Sequence, residues 1–382
     1  MLPPGVDDLH PCQAKLLVDG PQTYAAMKEA ILNARHYVYM QTYAFGDAHA
    51  PRELAQCLVL KAGEHIPVYL QIDAFGSLET DDSLFETLRE AGVVVQVFNE
   101  LSRFEASSGR TINSRNHRKI LVVDSREAFT GGINVSGRYG ESSNAPQTEN
   151  SVESGWRDTH MWLKGYAAKQ LAETFETSWD GDNAPSLSRV IAAAKVTDAQ
   201  HRVAIRHAVG GNDNWSDIRK FYLIAIRNAR TKIWITQAYF APDKVFVRDL
   251  CDASKRGIDV RIILPGYSDI DIVVASSRAR YGRLLKAGAR LFEMRGSVLH
   301  AKTAVIDSAW STVGSSNLDY RSFLHNFETN AFVVGSEFAR ALEQQFLQDQ
   351  ERADEIDAKR WAKRPCLMMF KEFVATLLDY RL

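Results

Sequence analysis

Two copies of one pattern, His-x-Lys-x-x-x-x-Asp, carry most of the chemistry in this chain: His117, Lys119 and Asp124, then His300, Lys302 and Asp307. With 10 histidines, 16 lysines and 26 aspartates in 382 residues, independent placement gives about 0.03 copies, so two copies mean a duplicated site. Both copies also set Gly at +14 (Gly131, Gly314) and Asn at +17 (Asn134, Asn317). In an extended strand, residues two apart project from one face, so each histidine and its lysine can converge on one anion. Phosphate is the natural guest. The aspartate falls at an odd offset from the histidine and points the other way if the strand continues, which gives Asp124 and Asp307 a scaffolding role. A lone histidine is more often a core residue. Repetition in register with Lys, Gly and Asn outweighs that reading, because scaffolding has no need of a lysine between apolar strand neighbours.

The elements that must position these motifs are repeated too. Asn33-Ala34-Arg35 matches Asn228-Ala229-Arg230 at an offset of 195, and Gln41, Tyr43 and Ala91-Gly92 match Gln237, Tyr239 and Ala287-Gly288 at 196. The motif histidines lie 183 apart, so the first half carries 13 extra residues, placed in the polar stretch from Asn99 to Asn116. Helix-period segments (Tyr24 to Arg35, Ser83 to Ala91) alternate with β-rich runs (Val68 to Ile72, Val93 to Phe98), which predicts α/β architecture with helices covering the sheets. A breaker-rich stretch opening at Asp180 separates this from a second strand start at Val203. The expectation is an N-terminal half over 1–180, a linker over 181–201 and a homologous half over 202–358, related by a pseudo-twofold axis. A C-terminal amphipathic helix is expected over 359–382.

The 46 basic and 47 acidic side chains sum to −1, which excludes a global field for nucleic acid. Cys12, Cys57, Cys251 and Cys366 include no C-x-x-C pair, so neither a zinc site nor a disulfide framework is indicated, and a reducing compartment follows. The N-terminus lacks the pattern of a secretory signal, and no uncharged run exceeds 11 residues, so no segment is expected to span a bilayer. Arg103, Arg110, Arg115 and Arg118 form a basic run with two readings: a solvated loop, or a contact for lipid headgroups or a nucleic-acid backbone. Near the C-terminus, Leu367, Phe370, Phe373, Val374, Leu377 and Leu378 recur at helical spacing, opposite Lys371, Glu372 and Asp379, with Pro365 suited to the first turn. Such a helix can cap the protein's own core, or lie in a bilayer interface with Trp361 and Arg364 near the headgroups. The polar stretch Tyr139 to Trp156 has two readings: a lid or entrance loop, for which it is long enough, or a disordered surface insertion.

The segments HRKILVVD…GGIN and HAKTAVID…GSSNLD resemble the phospholipase D superfamily through most of both halves. HRKILVVDSREAFTGGIN, AYFAPD from Ala238 and TVGSSNLDYRSFLHNFETN from Thr312 are most similar to bacterial cardiolipin synthases of the short type without transmembrane helices. The resemblance implies an active site at the interface of the two halves, with His117, Lys119, Asp124, His300, Lys302 and Asp307 as its motif set. It implies a phosphodiester exchange needing no metal or cofactor. One histidine attacks phosphorus to give a phosphohistidine; the other protonates the departing alcohol and then deprotonates the incoming one. By analogy His117 is the nucleophile and His300 the acid, although pseudo-symmetry leaves that assignment open. Lys119, Lys302, Asn134 and Asn317 would hold the non-bridging oxygens. A carboxylate after the Gly and Asn positions would orient each imidazole, and the matching residues are Asp158, 41 after His117, and Glu328, 28 after His300. The implied partners are phospholipids, phosphatidylglycerol and phosphatidylethanolamine, met by a peripheral protein on the cytoplasmic face of a bacterial inner membrane. The rival of the same chemistry is a hydrolase acting on phospholipid or nucleic acid. The neutral charge weighs against nucleic acid, and retained Asp124 and Asp307 weigh against a tyrosyl-DNA-phosphodiesterase type.

Overall fold

The structure, a computed structural model, describes residues 9–99, 114–145, 155–179, 199–210 and 215–378. Arg103 and Arg110, the expected linker as far as 198, positions 146–154 of the polar stretch and Asp379 lie outside those residues. The first half runs β1 (His10–Val18), α1 (Asp19–Leu32), β2 (Val38–Thr42), α2 (His49–Gly63), β3 (Val68–Asp73), α3 (Asp82–Glu90), β4 (Val94–Phe98), β5 (Ile120–Val123), β6 (Glu127–Gly131), β7 (Thr159–Gly165) and α4 (Tyr166–Ser178). The second runs β8 (His201–Ala208), α5 (Asp217–Asn228), β9 (Lys232–Gln237), β10 (Phe240–Ala241), α6 (Lys244–Lys255), β11 (Asp259–Pro265), α7 (Asp271–Ala287), β12 (Arg290–Met294), β13 (Lys302–Ile306), β14 (Trp310–Gly314), β15 (Leu318–Asp319), β16 (Glu328–Val334), α8 (Ser336–Glu351) and β17 (Ala353–Glu355). Two further helices, α9 (Ala358–Ala362) and α10 (Cys366–Thr376), follow.

Among the described residues, one sheet of 15 strands passes through both halves in the order β17-β12-β11-β9-β13-β14-β16-β8-β1-β7-β6-β5-β2-β3-β4. Read outward from the β8–β1 seam, the seven strands of the first half are matched in order by seven of the second, with β17 added at the second half's edge, so the expected pair of α/β halves is what the chain forms. The parallel neighbours β2, β3 and β4 need crossover connections, which α2 and α3 supply, and β2 (VYMQT) is buried at every position because helices cover both faces. At the seam, β1 pairs with both β7 and β8. One apolar cluster there mixes Cys12, Met161 and Leu163 with Val203, Ala331 and Val333. A buried two-pronged ion pair, Arg157 Nε to Asp349 Oδ1 at 2.7 Å and Nη2 to Oδ2 at 2.8 Å, ties the chain entering β7 to α8. The two halves therefore share backbone bonds, core and a buried charge pair.

The motif aspartates hold the hairpins. Asp124 and Ser125 both have positive φ (56° and 48°), and Arg126 N–H donates to Val123 O at 3.0 Å, a tight turn that matches strand twist. Asp307 and Ser308 repeat it at 53° each. Asp tolerates this left-handed region better than most residues. Its carboxylate also accepts backbone N–H groups: Arg35 (3.0 Å), His36 (2.8 Å) and Tyr37 (2.9 Å) for Asp124, and Arg230 (2.9 Å), Thr231 (2.8 Å) and Lys232 (3.1 Å) for Asp307. These bonds explain why α1 stops at Leu32 and not at Arg35, since the amides that would extend the chain as helix are bound to Asp124. Asp124→Ala removes three acceptor bonds at a buried site, and its expected effect is a loss of about 3–5 kcal/mol, measurable by denaturant unfolding. A loss under about 1 kcal/mol would show that the carboxylate is dispensable.

The C-terminal helix packs with its polar side inward. Glu372 and Ala375 of α10 are buried, while Leu367, Phe370, Phe373 and Leu377 are exposed. Trp361 stacks near Tyr281 (5.0 Å between rings), and Arg364 binds Glu372 at 2.7 Å and lies over the Trp361 ring. Trp361 and Arg364 are thus anchors to the protein and not headgroup contacts, because Glu372 and the α7 aromatic ring outcompete solvent for them. Pro365 sits one residue before the helix as its N-cap. Among the described residues no helix is long and apolar enough to cross a membrane.

Candidate active site

His117 lies three residues before β5 and His300 two before β13, and each is fixed there by the opposite half. His117 N–H donates to Phe327 O at 2.9 Å, and His300 N–H donates to Arg157 O at 2.8 Å. The side chains follow the same rule. His117 Nδ1 stands 3.0 Å from both carboxylate oxygens of Glu328, and His300 Nδ1 stands 2.7 Å from Asp158 Oδ2. Counting along each half sets Asp158 with His117 and Glu328 with His300; the fold exchanges them across the seam. A carboxylate accepts, so each Nδ1 carries the proton and Nε2 is left as the reactive nitrogen.

The two pairs differ in their hydroxyl groups. Ser315 donates its hydroxyl to Glu328. Gly132, its counterpart at an offset of 183, has no side chain, and a Cβ there would collide with the Asp158 carboxylate. On that side the hydroxyl belongs to Tyr139, whose oxygen lies 2.9 Å from His300 Nδ1. Tyr43 meets the His117 ring edge-on at 5.1 Å and Tyr239 meets His300 at 6.3 Å. At the mouth, Tyr239 OH donates to Asp269 at 3.1 Å, and Arg138 reaches the same carboxylate at 3.3 Å.

Lys119 and Lys302 are both buried, and each Nζ donates to the carbonyl of its own motif histidine, at 2.6 Å for Lys119. An ammonium has three donors, so each lysine has capacity for an anion. Burial pushes Lys119 down to about 7 and Lys302 down to about 8, against the pull of Glu328 and Asp158. Burial likewise lowers His117 to about 4 and, with Lys302 and Lys119 adding repulsion, holds His300 well below its ordinary value. Asp158 is raised by burial to about 6. Every one of these shifts penalises charge, and an anion placed between the lysines would reverse the penalty on both cations. Asn134 accepts from Ala44 N–H at 3.4 Å, while Asn317 Oδ1 is buried with no hydrogen-bond partner among the described residues.

The two histidines, the two lysines and the carboxylates Asp158 and Glu328 are therefore brought together, while Asp124 and Asp307 serve the hairpins. Arg115 and Arg118 also depart from expectation. Both are buried, Arg115 3.7 Å from Asp73 and Arg118 over the Phe327 ring, because the parallel bridge Asn116 to Phe327 carries this stretch beneath the second half. Tyr43 and Tyr239 stood in the repeat as unassigned matches. Tyr139 gave no such signal, since its counterpart in the second half is Ser322. Among the described residues no group of three or more His, Cys, Asp or Glu side chains could hold a metal ion.

Residues 27–179 and 222–350 match the family described as "Cardiolipin synthase, PLD-like domain". The chain belongs to this family. Cardiolipin synthase 2 of Bacillus anthracis is 34% identical over 354 residues, covering 92% of this chain and 67% of that protein. Cardiolipin synthase of Halalkalibacterium halodurans is 31% identical over 367 residues, covering 96% of this chain and 71% of that protein. Among solved structures, phosphatidylserine synthase of Haemophilus influenzae Rd KW20 superposes with a TM-score of 0.72, covering 98% of this chain and 97% of that one at 13% identity. At that identity the likeness concerns the fold alone: two PLD-like halves built as one body.

Proposed function

We propose that this PLD-like protein is a phospholipid phosphatidyltransferase of the cardiolipin synthase type, passing a phosphatidyl group through phosphohistidine to a phosphatidylglycerol-type acceptor. The observation that carries this reading is the pair of imidazoles, each held at Nδ1 by a carboxylate from the other half, beside two buried lysines. Family membership and the cardiolipin synthase relatives support the lipid substrate.

In the first step His117 Nε2 attacks phosphorus, the bond to the departing alcohol breaks, and His300 gives that oxygen a proton. In the second, His300 takes the proton from the acceptor hydroxyl as its oxygen displaces His117 and the P–O bond re-forms. Lys119 and Lys302 stabilise the charge spread over the non-bridging oxygens, with Asn134 and Asn317 as neutral donors. Burial first and lysine repulsion second keep His300 deprotonated, and the diester's charge offsets the repulsion, so the proton required for step one loads with the substrate. Charge stabilisation by two ammonium groups leaves no role for a divalent ion.

The test is lipid mass spectrometry after purified protein meets phosphatidylglycerol vesicles in EDTA, with and without phosphatidylethanolamine. Cardiolipin with free glycerol or ethanolamine is the expected product and identifies the donor; His117→Ala is the blank. Phosphatidic acid alone would mean that water is the acceptor. Activity lost in EDTA and restored by a divalent ion would contradict metal independence. The exposed face of α10 supports attachment to the surface of the membrane that holds these lipids.

A further inference from the structure

Two loops at the mouth of the site repeat an apolar pattern that the catalytic chemistry does not use. After β3 the chain presents Phe75 and Leu78; after β11, at an offset of 192 in both cases, it presents Tyr267 and Ile270. All four are exposed, at 56%, 56%, 46% and 42%. Isolated exposed apolar residues are ordinary. Four at equivalent positions around one opening are not.

Both loops stand at the rim. In the first, Gly76 packs so tightly on Tyr43 O that a Cβ would clash, and Tyr43 is the ring beside His117. In the second, Asp269 binds Tyr239 OH, the ring beside His300. A third exposed apolar surface, on α10, lies in the same half as the second loop. Helix α10 packs on α7, with Glu372 acting on both Arg278 and Tyr281. Arg138 and its counterpart Arg321, 183 residues on, supply positive charge at the same mouth; Arg138 reaches Asp269 and Arg321 acts on Tyr43.

We propose that Phe75, Leu78, Tyr267 and Ile270 form a bilayer-docking rim, seating the mouth face-down on a phospholipid surface. The reading rests on the phospholipid substrate proposed above. Aromatic and aliphatic side chains enter the headgroup and upper acyl region, and the arginines meet anionic headgroups. A substrate phosphate then rises into the site while its acyl chains stay in the leaflet. Docking by two symmetric loops fixes orientation, which α10 on one side of the molecule cannot do alone.

The experiment is vesicle flotation of the full chain carrying His117→Ala, with phosphatidylglycerol and phosphatidylethanolamine vesicles. Each loop pair, Phe75→Ser with Leu78→Ser and Tyr267→Ser with Ile270→Ser, should weaken partitioning about tenfold, and all four together further. Leu32→Ser removes a comparably exposed side chain at the other end of the sheet and should change nothing. Unaltered flotation of the four-residue variant overturns the proposal, as does equal loss in Leu32→Ser, or loss confined to Phe370→Ser with Phe373→Ser in α10. The chain with both histidines is run in parallel. Rim-dependent flotation without any lipid product would sustain the docking surface and overturn the transferase reading.

Discussion

Turnover is expected to fall by about four orders of magnitude or more in His117→Ala and in His300→Ala alike, because a nucleophile and an acid–base group acting in series fail together. The two variants part company on a substrate whose leaving group needs no proton. With a nitrophenyl phosphodiester, His300→Ala should release about one nitrophenolate per chain and stop, with the phosphoryl group retained on His117. His117→Ala should release none. The exchanged carboxylates sharpen the test: Glu328→Gln should depress the nitrophenolate burst, since it acts on His117, and Asp158→Asn should spare it. Multiple turnovers in either alanine variant, or the phosphoryl group found on His300, would sink the assignment.

Lys119→Met and Lys302→Met should each lower kcat/KM by about 10²–10⁴-fold and yet raise Tm at pH 7 by about 2–4 °C. Both lysines hold folded values, about 7 and about 8, beneath the ordinary lysine value that the unfolded chain restores. A base with a depressed folded value binds its proton more weakly folded than unfolded. The fold is therefore penalised most at pH below the folded value, and the penalty fades as pH rises toward the unfolded one. The Tm gain of each Met variant should accordingly shrink between pH 7 and pH 10. In the same window kcat/KM of the parent should decline, since a neutral lysine no longer holds the phosphate. Thermal melts across that range decide the matter; a Tm that drops at pH 7 would mean that the ammonium groups support the fold.

Much of this was legible in the chain because duplication doubles a weak signal. His117 with Lys119 would be unremarkable alone; the second copy with Gly and Asn in register made a site, and the alternation of helix and strand periods gave the α/β halves. What linear spacing cannot carry is register across a pseudo-twofold axis. Counting 41 and 28 residues within each half finds Asp158 and Glu328 but assigns each to the wrong imidazole. Tyr139 was hidden because the repeat is broken there by Ser322, and Arg115 and Arg118 were read outward because nothing in their own stretch announces that Phe327 covers them. The C-terminal segment showed its helical period plainly. That its carboxylate would turn inward onto Arg364 depended on α7, some 90 residues earlier in sequence.

The crossed pairs bear on how the two halves can change over time. A duplicated protein is usually free to let one copy decay once the other suffices. Here a substitution at Asp158 in the first half is felt at His300 in the second, and one at Glu328 is felt at His117. Neither copy is a spare, and neither can be inherited, lost or remodelled as a separate module. Selection sees one catalyst written in two interlocked passages, so divergence between them is tolerated everywhere except where each completes the other.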